Sequence, residues 1–283
     1  MTVDSGMPAA TAGRRPASEP AETGDGRDAV VCHCRNVSVD FDSSEGRRRV
    51  LEAIDMDLHE GELVSIMGRS GTGKTNLLRV LCGLVEPGPG SVVTVRGQPL
   101  AGPPEGAVFV FQNYAASLLP WRTVERNVAL GLEGKVSQEE IRERAAGALE
   151  AVGLAERAKD YPWRLSGGMQ QRVQLARGLA MDACLLLMDE PFGALDAMTK
   201  TSLQDELQRV HREREPTVAF VTHDIDEAVY LSDRILVLSG SPATISDEIT
   251  VDLPRPRDQL ATKELPEFLQ LRRRVYDAIV SDR

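Results

Sequence analysis

The chain has 283 residues, of which 42% are hydrophobic and 27% charged, and its formal net charge is −10 at pH 7. Such values are ordinary for a globular protein and indicate one large domain, or one domain with an insertion. The acidic balance argues against a nucleic-acid binder, unless a local basic surface exists. No run of the sequence reaches the roughly 18 apolar residues of a membrane span, and its start lacks the apolar core of a signal peptide.

The sequence changes in character near residue 29. Residues 1–28 are rich in Ala, Pro, Gly, Ser and charged residues, which predicts a disordered tail. The stretch VVCHCRNVSVDF that follows places Val37, Val39 and Phe41 on one face, as in a half-buried strand. The stretch SVVTVRG alternates in the same way, and we expect the two to form a small antiparallel sheet.

Four other apolar runs are short and almost continuously hydrophobic: ELVSIMG, AVFVFQ, CLLLMDE and VAFVTH. Strands that are buried on both faces of a parallel sheet have this composition. Polar residues close the runs, and the carboxyl ends of parallel strands are where open α/β sheets bind ligands. The pattern therefore predicts an α/β fold with a site at that edge.

A glycine-rich loop follows the first of these runs and precedes the helical stretch NLLRVLCGL. The loop, GRSGTGKT, fits the phosphate-binding pattern G-x-x-x-x-G-K-[ST] in the required strand-to-helix context. Its backbone N–H groups would converge on phosphate oxygens, Lys74 would reach the β and γ phosphates, and Thr75 would offer its hydroxyl to Mg²⁺. The alternative is a glycine-rich turn that binds nothing. The predicted cradle comprises Gly68, Arg69, Ser70, Gly71, Thr72, Gly73, Lys74 and Thr75.

Gln112 closes the run AVFVFQ, where its neutral amide could coordinate Mg²⁺ or orient water; a satisfied polar group is the alternative. Residues 113–164 then change in pattern and predict a helical insertion. The stretch SQEEIRERAAGALEAVGL opens with a capping box formed by Ser137 and Glu140. Its apolar residues recur at helical spacing: Ile141, Ala145, Ala148, Leu149 and Val152.

The stretch LSGGMQQR is typical of a helix start. Ser166 can cap the helix, and Gly167 and Gly168 let the backbone approach a ligand. Free N–H groups and the helix dipole make such a start an anion-binding site. It lies about ninety residues after the first phosphate cradle, so the sequence raises the question of why a nucleotide site would need two.

Two adjacent acids end the buried run CLLLMDE. Asp189 is placed to hold Mg²⁺, directly or through water. Successive strand residues face opposite sides, which would leave Glu190 free to polarise an attacking water as general base. A pair of solvated acids at a strand end is the alternative.

His223 closes VAFVTH and could hydrogen-bond the γ-phosphate, with a satisfied polar group as the alternative. Phe41 could stack on an adenine ring or serve as a core aromatic. The guanine-reading pattern N-K-x-D is absent from the sequence, which favours ATP over GTP.

The C-terminal region is Pro-rich after about residue 240 and ends in LPEFLQLRRRVYDAIV, which predicts an amphipathic helix. We expect this helix to pack on its own core, with a regulatory role as the alternative. The predicted organisation is a main domain over residues 29–253 and a helical extension over residues 254–283.

Together these motifs resemble the ATP-binding subunit of an ABC transporter. Order and spacing agree from about residue 30 to 240. The matching set is Phe41 as A-loop aromatic, GRSGTGKT, Gln112 as Q-loop, LSGGMQQR as signature, LLLMDE as Walker B, GALD as D-loop and His223 as switch histidine.

The resemblance implies a P-loop NTPase fold with a RecA-like parallel-sheet core, a small antiparallel β subdomain and a helical insertion. It also implies ATP and Mg²⁺ as cofactors and two copies that meet head to tail. Ser166, Gly167 and Gly168 of one copy would then touch the γ-phosphate held by the other, with Asp196 at the seam. The subunit would lie at the cytoplasmic side of the membrane, where a separate permease would bind it around residues 119–127. A solute-binding protein would deliver the solute to that permease.

Three longer stretches look like the ATPases of nitrate, sulfonate and taurine-type importers: FQNYAASLLPWRTVERNVALGL, MDEPFGALDAMT and VTHDIDEAVYLSDRILVL. Thr72 and Asn76 depart mildly from common phosphate-loop residues. The alternatives are a soluble ABC ATPase outside transport, an importer for another class of solute, and an exporter.

Overall fold

The computed structural model describes residues 1–2, 29–43, 46–112, 117–193 and 195–281. Apart from its first two residues, the predicted disordered tail lies outside this range. No helix in the described part of the chain is both long and apolar enough to cross a membrane.

Ten strands occur within the described residues and form one sheet in the order β5-β4-β1-β2-β10-β9-β3-β8-β7-β6. They are β1 Val30–Ser43, β2 Gly46–His59, β3 Leu63–Gly68, β4 Val92–Val95, β5 Gln98–Pro99, β6 Ala107–Val110, β7 Leu185–Asp189, β8 Val218–Val221, β9 Arg234–Gly240 and β10 Ala243–Thr250.

The helices of the same ranges are α1 Lys74–Leu81, α2 Val124–Val128, α3 Gln138–Ala151, α4 Gly167–Ala180, α5 Ala197–Arg214, α6 Ile225–Leu231 and α7 Pro266–Val280. Short 3₁₀ turns at Ala129–Gly131, Ala155–Arg157 and Pro162–Arg164 connect the helices of the insertion.

The parallel half of the sheet contains all four predicted buried strands, since β3 pairs with β8, β8 with β7 and β7 with β6 in parallel. A fifth parallel strand, β9, was not predicted. The predicted antiparallel pairing of β1 with β4 is present, and with β2 and β5 these strands form the antiparallel end of the sheet. Strand β10 pairs with β9 and also meets β2 at Ala243 and Leu51, so both halves form one continuous sheet.

The prediction for β1 is partly wrong. Val37 and Val39 are fully buried, as expected for one face of a half-buried strand, but Phe41 is 39% exposed. At the register shifts that follow Val37 and Val39 the extra residue lies on β2, so β1 keeps its alternation and the buried part of this face ends at Val39. The exposure argues against Phe41 as a core aromatic.

Side chains of the parallel strands alternate between two hydrophobic cores, one on each face of the sheet. On β7, Leu186 and Met188 join the core that contains the buried residues of α2 to α7. Leu185 and Leu187 join the other core, which contains α1 and the buried residues of β1, β2 and β4. Helix α1 therefore packs between the parallel strands and the antiparallel end of the sheet.

The helical insertion forms as predicted in its described part. The Oγ atom of Ser137 accepts a hydrogen bond from the N–H of Glu140 at 3.2 Å and caps α3. The Glu140 carboxylate forms an ion pair with Arg144, 2.6 Å away, which stabilises the first turn. The five apolar residues predicted at helical spacing are all buried.

The C-terminal helix α7 packs on the domain, as expected, through the buried Phe268 and Val275. The Pro-rich segment before it is tied down by Arg257, whose guanidinium donates to the carbonyls of Tyr230 and Ser232 at 2.9 and 2.8 Å. These carbonyls end α6, so the buried arginine caps that helix. Burial lowers the pKa of Arg257 to about 10.

Candidate functional site

The glycine-rich loop lies between the carboxyl end of β3 and the start of α1. Two of its glycines are required by close packing as well as by positive φ angles. At Gly68, with φ +144°, a Cβ would lie 2.3 Å from the carbonyl oxygen of Leu238. At Gly73, with φ +91°, a Cβ would lie 2.7 Å from Cγ1 of Val50. The loop therefore keeps a backbone conformation that residues with a side chain cannot adopt at these two positions.

Lys74 begins α1, and only 5% of its surface is exposed. Its Nζ donates hydrogen bonds to the carbonyl oxygens of Gly68 at 2.9 Å and Arg69 at 2.7 Å. Burial lowers the pKa of Lys74, and the nearby Glu190 and Asp189 oppose that shift. The ammonium is thus held over the loop by two of the loop's own carbonyl oxygens.

Thr75 and Asp189 connect α1 to the end of β7. The Thr75 hydroxyl donates to Oδ1 of Asp189 at 2.9 Å. Burial raises the pKa of Asp189, while the Thr75 hydroxyl opposes the rise. Among the described residues no cluster of three or more His, Cys, Asp or Glu side chains could hold a metal by itself. Two oxygen ligands beside a phosphate loop suit Mg²⁺, which takes one or two protein oxygens together with substrate phosphates.

Glu190 follows β7, and its carboxylate contacts both other predicted strand-end residues. Oε2 accepts a hydrogen bond from Nε2 of Gln112 at 2.7 Å, and Oε1 is paired with Nε2 of His223. Strand β6 ends at Val110 and β8 at Val221, so Gln112 and His223 each lie two residues beyond a strand. We call Gln112, Glu190 and His223, which meet at the Glu190 carboxylate, the carboxylate triad.

The predicted reason for the direction of Glu190 is wrong. Strand β7 ends at Asp189, and Glu190 has a left-handed backbone with φ +47°. Its N–H donates to the carbonyl oxygen of Val221 at 3.1 Å, which ties the turn to β8. The turn directs Glu190, since strand alternation no longer applies past Asp189. A positive φ at a non-glycine residue is uncommon, and such residues cluster at functional sites.

The serine-glycine stretch forms the start of α4, as predicted. The Ser166 hydroxyl accepts from the N–H of Met169 at 3.4 Å and caps the helix. Gly168 abuts α5, because a Cβ there would lie 2.0 Å from Cγ2 of Thr199. Asp196 caps α5 by accepting from the N–H of Thr199 at 3.1 Å, and this bonding lowers the pKa of Asp196. The starts of α4 and α5 are thus packed together.

The two predicted anion-binding helix starts lie on opposite faces of the sheet. Leu77 and Leu78 of α1 belong to one core, and Val173 and Ala176 of α4 belong to the other. Helix α4 leads into β7, so its N-terminus points toward the same carboxyl edge where α1 begins. The sheet separates the two N-termini, and they do not form one cradle.

Phe41 lies opposite Arg48 in the pairing of β1 with β2. Two residues earlier on β1, Val39 lies opposite Leu51. The side chain of Leu51 lies against the position that a Cβ on Gly73 would occupy. The strand that carries the exposed Phe41 is therefore paired with residues that pack against the phosphate loop.

A cluster that the sequence analysis missed lies beside His223. Lys200, Asp224 and Glu227 form ion pairs there. The sequence contains one signal for this cluster, which is the pair of acids Asp224 and Glu227, three residues apart at a helix start. Lys200 comes from another helix, so nothing in the sequence connects it to them.

Comparisons with known proteins agree on one family. The family model for ABC transporters matches residues 51–193. An uncharacterized ABC transporter ATP-binding protein of Methanocaldococcus jannaschii is 44% identical, over 88% of this chain and 91% of that protein. The bicarbonate transport ATP-binding protein CmpD of Synechococcus elongatus is 40% identical, over 86% of this chain and 87% of CmpD. The nitrate import ATP-binding protein NrtC of the same organism is 41% identical over 84% of this chain, which spans only 36% of NrtC.

Solved structures show the same fold. A dimeric ATP-binding cassette in a post-hydrolysis state, bound to ADP and Pi, is 32% identical with a TM-score of 0.67, over 78% of this chain and 98% of that one. The Clostridium perfringens protein cbiO1, part of the ABC transporter complex cbiONQ, is 25% identical with a TM-score of 0.70, over 79% and 89% of the two chains.

Proposed function

The chain belongs to the ABC transporter family, as an ATP-binding subunit that hydrolyses ATP, and we propose that two copies power the import of a small solute through a separate permease. The solute class we propose is that of nitrate and sulfonates, including taurine. Relatives named for nitrate and bicarbonate import support a small anion.

The observation that carries the pairing of two copies is the separation of α1 and α4 by the sheet. Each helix start is built to bind anions, yet they lie on opposite faces within one chain. In a two-fold pair, Ser166, Gly167 and Gly168 of one copy meet the γ-phosphate on the loop of the other, and Asp196 lies at the seam. The solved dimeric cassette supports this arrangement.

Each proposed role follows from the position of the side chain. The loop from Gly68 to Thr75 holds the phosphates, with Lys74 on the β and γ phosphates, and Phe41 stacks on adenine. Thr75 and Asp189 hold Mg²⁺, with Gln112 as a further ligand or water-orienting group. Bound Mg²⁺ would neutralise charge that develops on the phosphates.

Glu190 is proposed to act as the general base. Its carboxylate can accept a proton from the attacking water, while Gln112 donates to one of its oxygens. His223 contacts its other oxygen and can exchange that contact for the γ-phosphate.

Glu190→Gln tests the ATP site and the pairing together. The amide keeps the size of the side chain but removes the base, so we expect ATP binding to persist while hydrolysis falls by about 10²- to 10⁴-fold. Size-exclusion chromatography with MgATP should then show a dimer that ADP does not support. Lys74→Ala is the control that should bind no ATP and remain monomeric. A Glu190→Gln protein that stays monomeric when saturated with ATP would refute the paired site.

Docking to a permease is proposed for the segment around Leu119 to Asn127. Asn127 is fully buried and holds the segment by donating to the carbonyls of Leu119 at 3.1 Å and Arg122 at 3.2 Å. Trp121 is 72% exposed beside this rigid frame. Tryptophan is enriched among the residues that contribute most to protein–protein binding, which makes Trp121 the proposed anchor of this contact.

Co-sedimentation with membranes that contain the permease tests this docking and the peripheral location at the cytoplasmic face. We expect Trp121→Glu to reduce it, and Leu260→Glu, at a residue 75% exposed, to leave it unchanged. Equal sedimentation of both variants would place the contact elsewhere. Growth of a deletion strain on single nitrogen or sulfur sources would identify the solute.

A further inference from the structure

Three charged side chains beside His223 form a partly buried cluster. The Nζ atom of Lys200 lies 2.8 Å from Oδ2 of Asp224 and 2.5 Å from Oε1 of Glu227. The Glu227 side chain is only 5% exposed, and that of Lys200 is 26% exposed. We call Lys200, Asp224 and Glu227 the lysine cluster.

The lysine cluster holds the residues on both sides of His223. On one side, the Thr222 hydroxyl donates to Oε2 of Glu227. On the other, the Asp224 carboxylate is paired with Lys200, and the Asp224 N–H donates to the Thr222 hydroxyl at 3.0 Å. The backbone of His223 is therefore fixed at both neighbours, although the imidazole itself is not part of the cluster.

The lysine comes from the helix whose first turn is proposed to lie at the seam between copies. Lys200 is four residues from Asp196, and its N–H donates to the Asp196 carbonyl at 2.9 Å. One side chain thus connects the first turn of α5 to the turn that carries His223. A displacement of that helix start would move the ammonium, and with it the two carboxylates.

Loss of the ammonium would leave two carboxylates facing each other without a cation between them. Glu227 would then be a buried, uncompensated charge, and its repulsion from Asp224 would favour separation of the two. Because Thr222 and Asp224 flank His223, that separation would shift the imidazole relative to Glu190.

We propose that Lys200 is a positioning residue for hydrolysis, which sets the place of His223 from the first turn of α5. The inference rests on the proposed function of the carboxylate triad, and it adds a residue that touches neither nucleotide nor the reacting atoms. Lys200 acts through the residues on either side of the histidine, so it controls turnover and leaves nucleotide affinity unchanged.

Lys200→Gln, Lys200→Arg and Arg209→Gln form a matched set on one helix. Arg209, on the same helix, also pairs with two carboxylates, those of Glu206 and Glu213, each at 2.8 Å. We expect Lys200→Gln to lower kcat by about 10- to 100-fold, as misplacement of a reacting group does, with KM and ATP Kd within about twofold of wild type. Lys200→Arg should restore most of kcat, and Arg209→Gln should keep the wild-type kcat.

The same variants in a His223→Ala background separate positioning from general stability. If Lys200 acts through His223, Lys200→Gln should lower kcat less than about twofold there, because coupled residues are not additive. An equal loss with and without His223, or a wild-type kcat in Lys200→Gln, would overturn the proposal. Neither result would affect the ATP-loaded dimer expected of Glu190→Gln. The role of Lys200 can therefore fail while the proposed function stands.

Thr222→Val provides a second route if Lys200→Gln fails to fold. Valine keeps the shape of the 3% exposed Thr222 and the charges of the lysine cluster, but removes the hydroxyl that bonds Glu227 and Asp224. We expect the same pattern, a lower kcat with unchanged ATP Kd. A wild-type kcat in Thr222→Val would contradict the anchoring of His223 by its neighbours.

Discussion

The side-chain amide of Gln112 donates a hydrogen bond to Oε2 of Glu190 at 2.7 Å, although the two residues lie 78 positions apart in the chain. Gln112 follows β6 and Glu190 follows β7, and these strands are parallel neighbours. The bond orients the carboxylate that is proposed to take a proton from water, while His223 holds its other oxygen.

Gln112→Ala should lower kcat by about 10- to 100-fold, because a hydrogen bond to a charged group is worth about 1.5–3 kcal/mol. Gln112 is exposed, so the melting temperature should stay near that of wild type. Steady-state phosphate release and a thermal melt measure the two effects. Wild-type kcat in the alanine variant would show that Glu190 needs no such orientation.

Ser166→Arg should abolish cooperative hydrolysis but leave ATP binding by the monomer intact, because the bulky cation would block the partner's phosphate from the start of α4. Ser137→Arg is the matched control, since both serines cap a helix by accepting from the N–H three residues on. Each change should cost about 0.5–2 kcal/mol of stability. Equal cooperativity in the two variants, measured by ATPase rate against protein concentration, would exclude Ser166 from the paired site.

Gly168→Ala should destabilise the protein by about 1–3 kcal/mol, because the new methyl group would lie 2.0 Å from Cγ2 of Thr199. Thr199→Ser removes that methyl group and keeps the backbone N–H that bonds Asp196. The double variant Gly168→Ala, Thr199→Ser should therefore recover most of the loss in urea unfolding. Additive losses in the double variant would contradict direct packing of α4 against α5.

Asp233 should contribute a pH-dependent part of the stability. Burial alone would raise the pKa of Asp233, but Arg255 at 2.6 Å and the Leu63 N–H at 3.0 Å bring it below the usual range. A folded-state pKa below the unfolded value of about 3.9 stabilises the protein above that pH. This stability is lost as the pH falls through the folded-state pKa.

The free energy of unfolding should therefore fall more for wild type than for Asp233→Asn between about pH 5 and pH 2. The control is Asp277→Asn, whose ion pair with Arg273 is largely exposed and should change the pH profile little. Parallel pH profiles for wild type and Asp233→Asn would show that Asp233 has the same pKa in both states.

Local rules explain which features could be predicted from the sequence. Short, continuous apolar runs closed by polar residues are typical of buried parallel strands, and the caps at Ser137 and Ser166 depend on residues within one turn. Strand β9 was missed because its apolar run stood alone without a site motif. The antiparallel pairing of β1 with β4 followed from their alternation, but its junction with the parallel strands depends on β10, which pairs with β2 at Ala243 and Leu51, far apart in the chain.

The sequence by itself determined which chemical groups are present: a glycine-rich loop of the phosphate-binding pattern, and two acids, a glutamine and a histidine at or just beyond strand ends, with a second helix start that is predicted to bind anions. Only the tertiary structure decided that Gln112 and His223 both contact Glu190, that Lys200 anchors the neighbours of His223, and that α1 and α4 lie on opposite faces. The physical reason is that caps, turns and strand alternation act within a few residues. Strand order and packing, in contrast, join residues that are far apart in the chain.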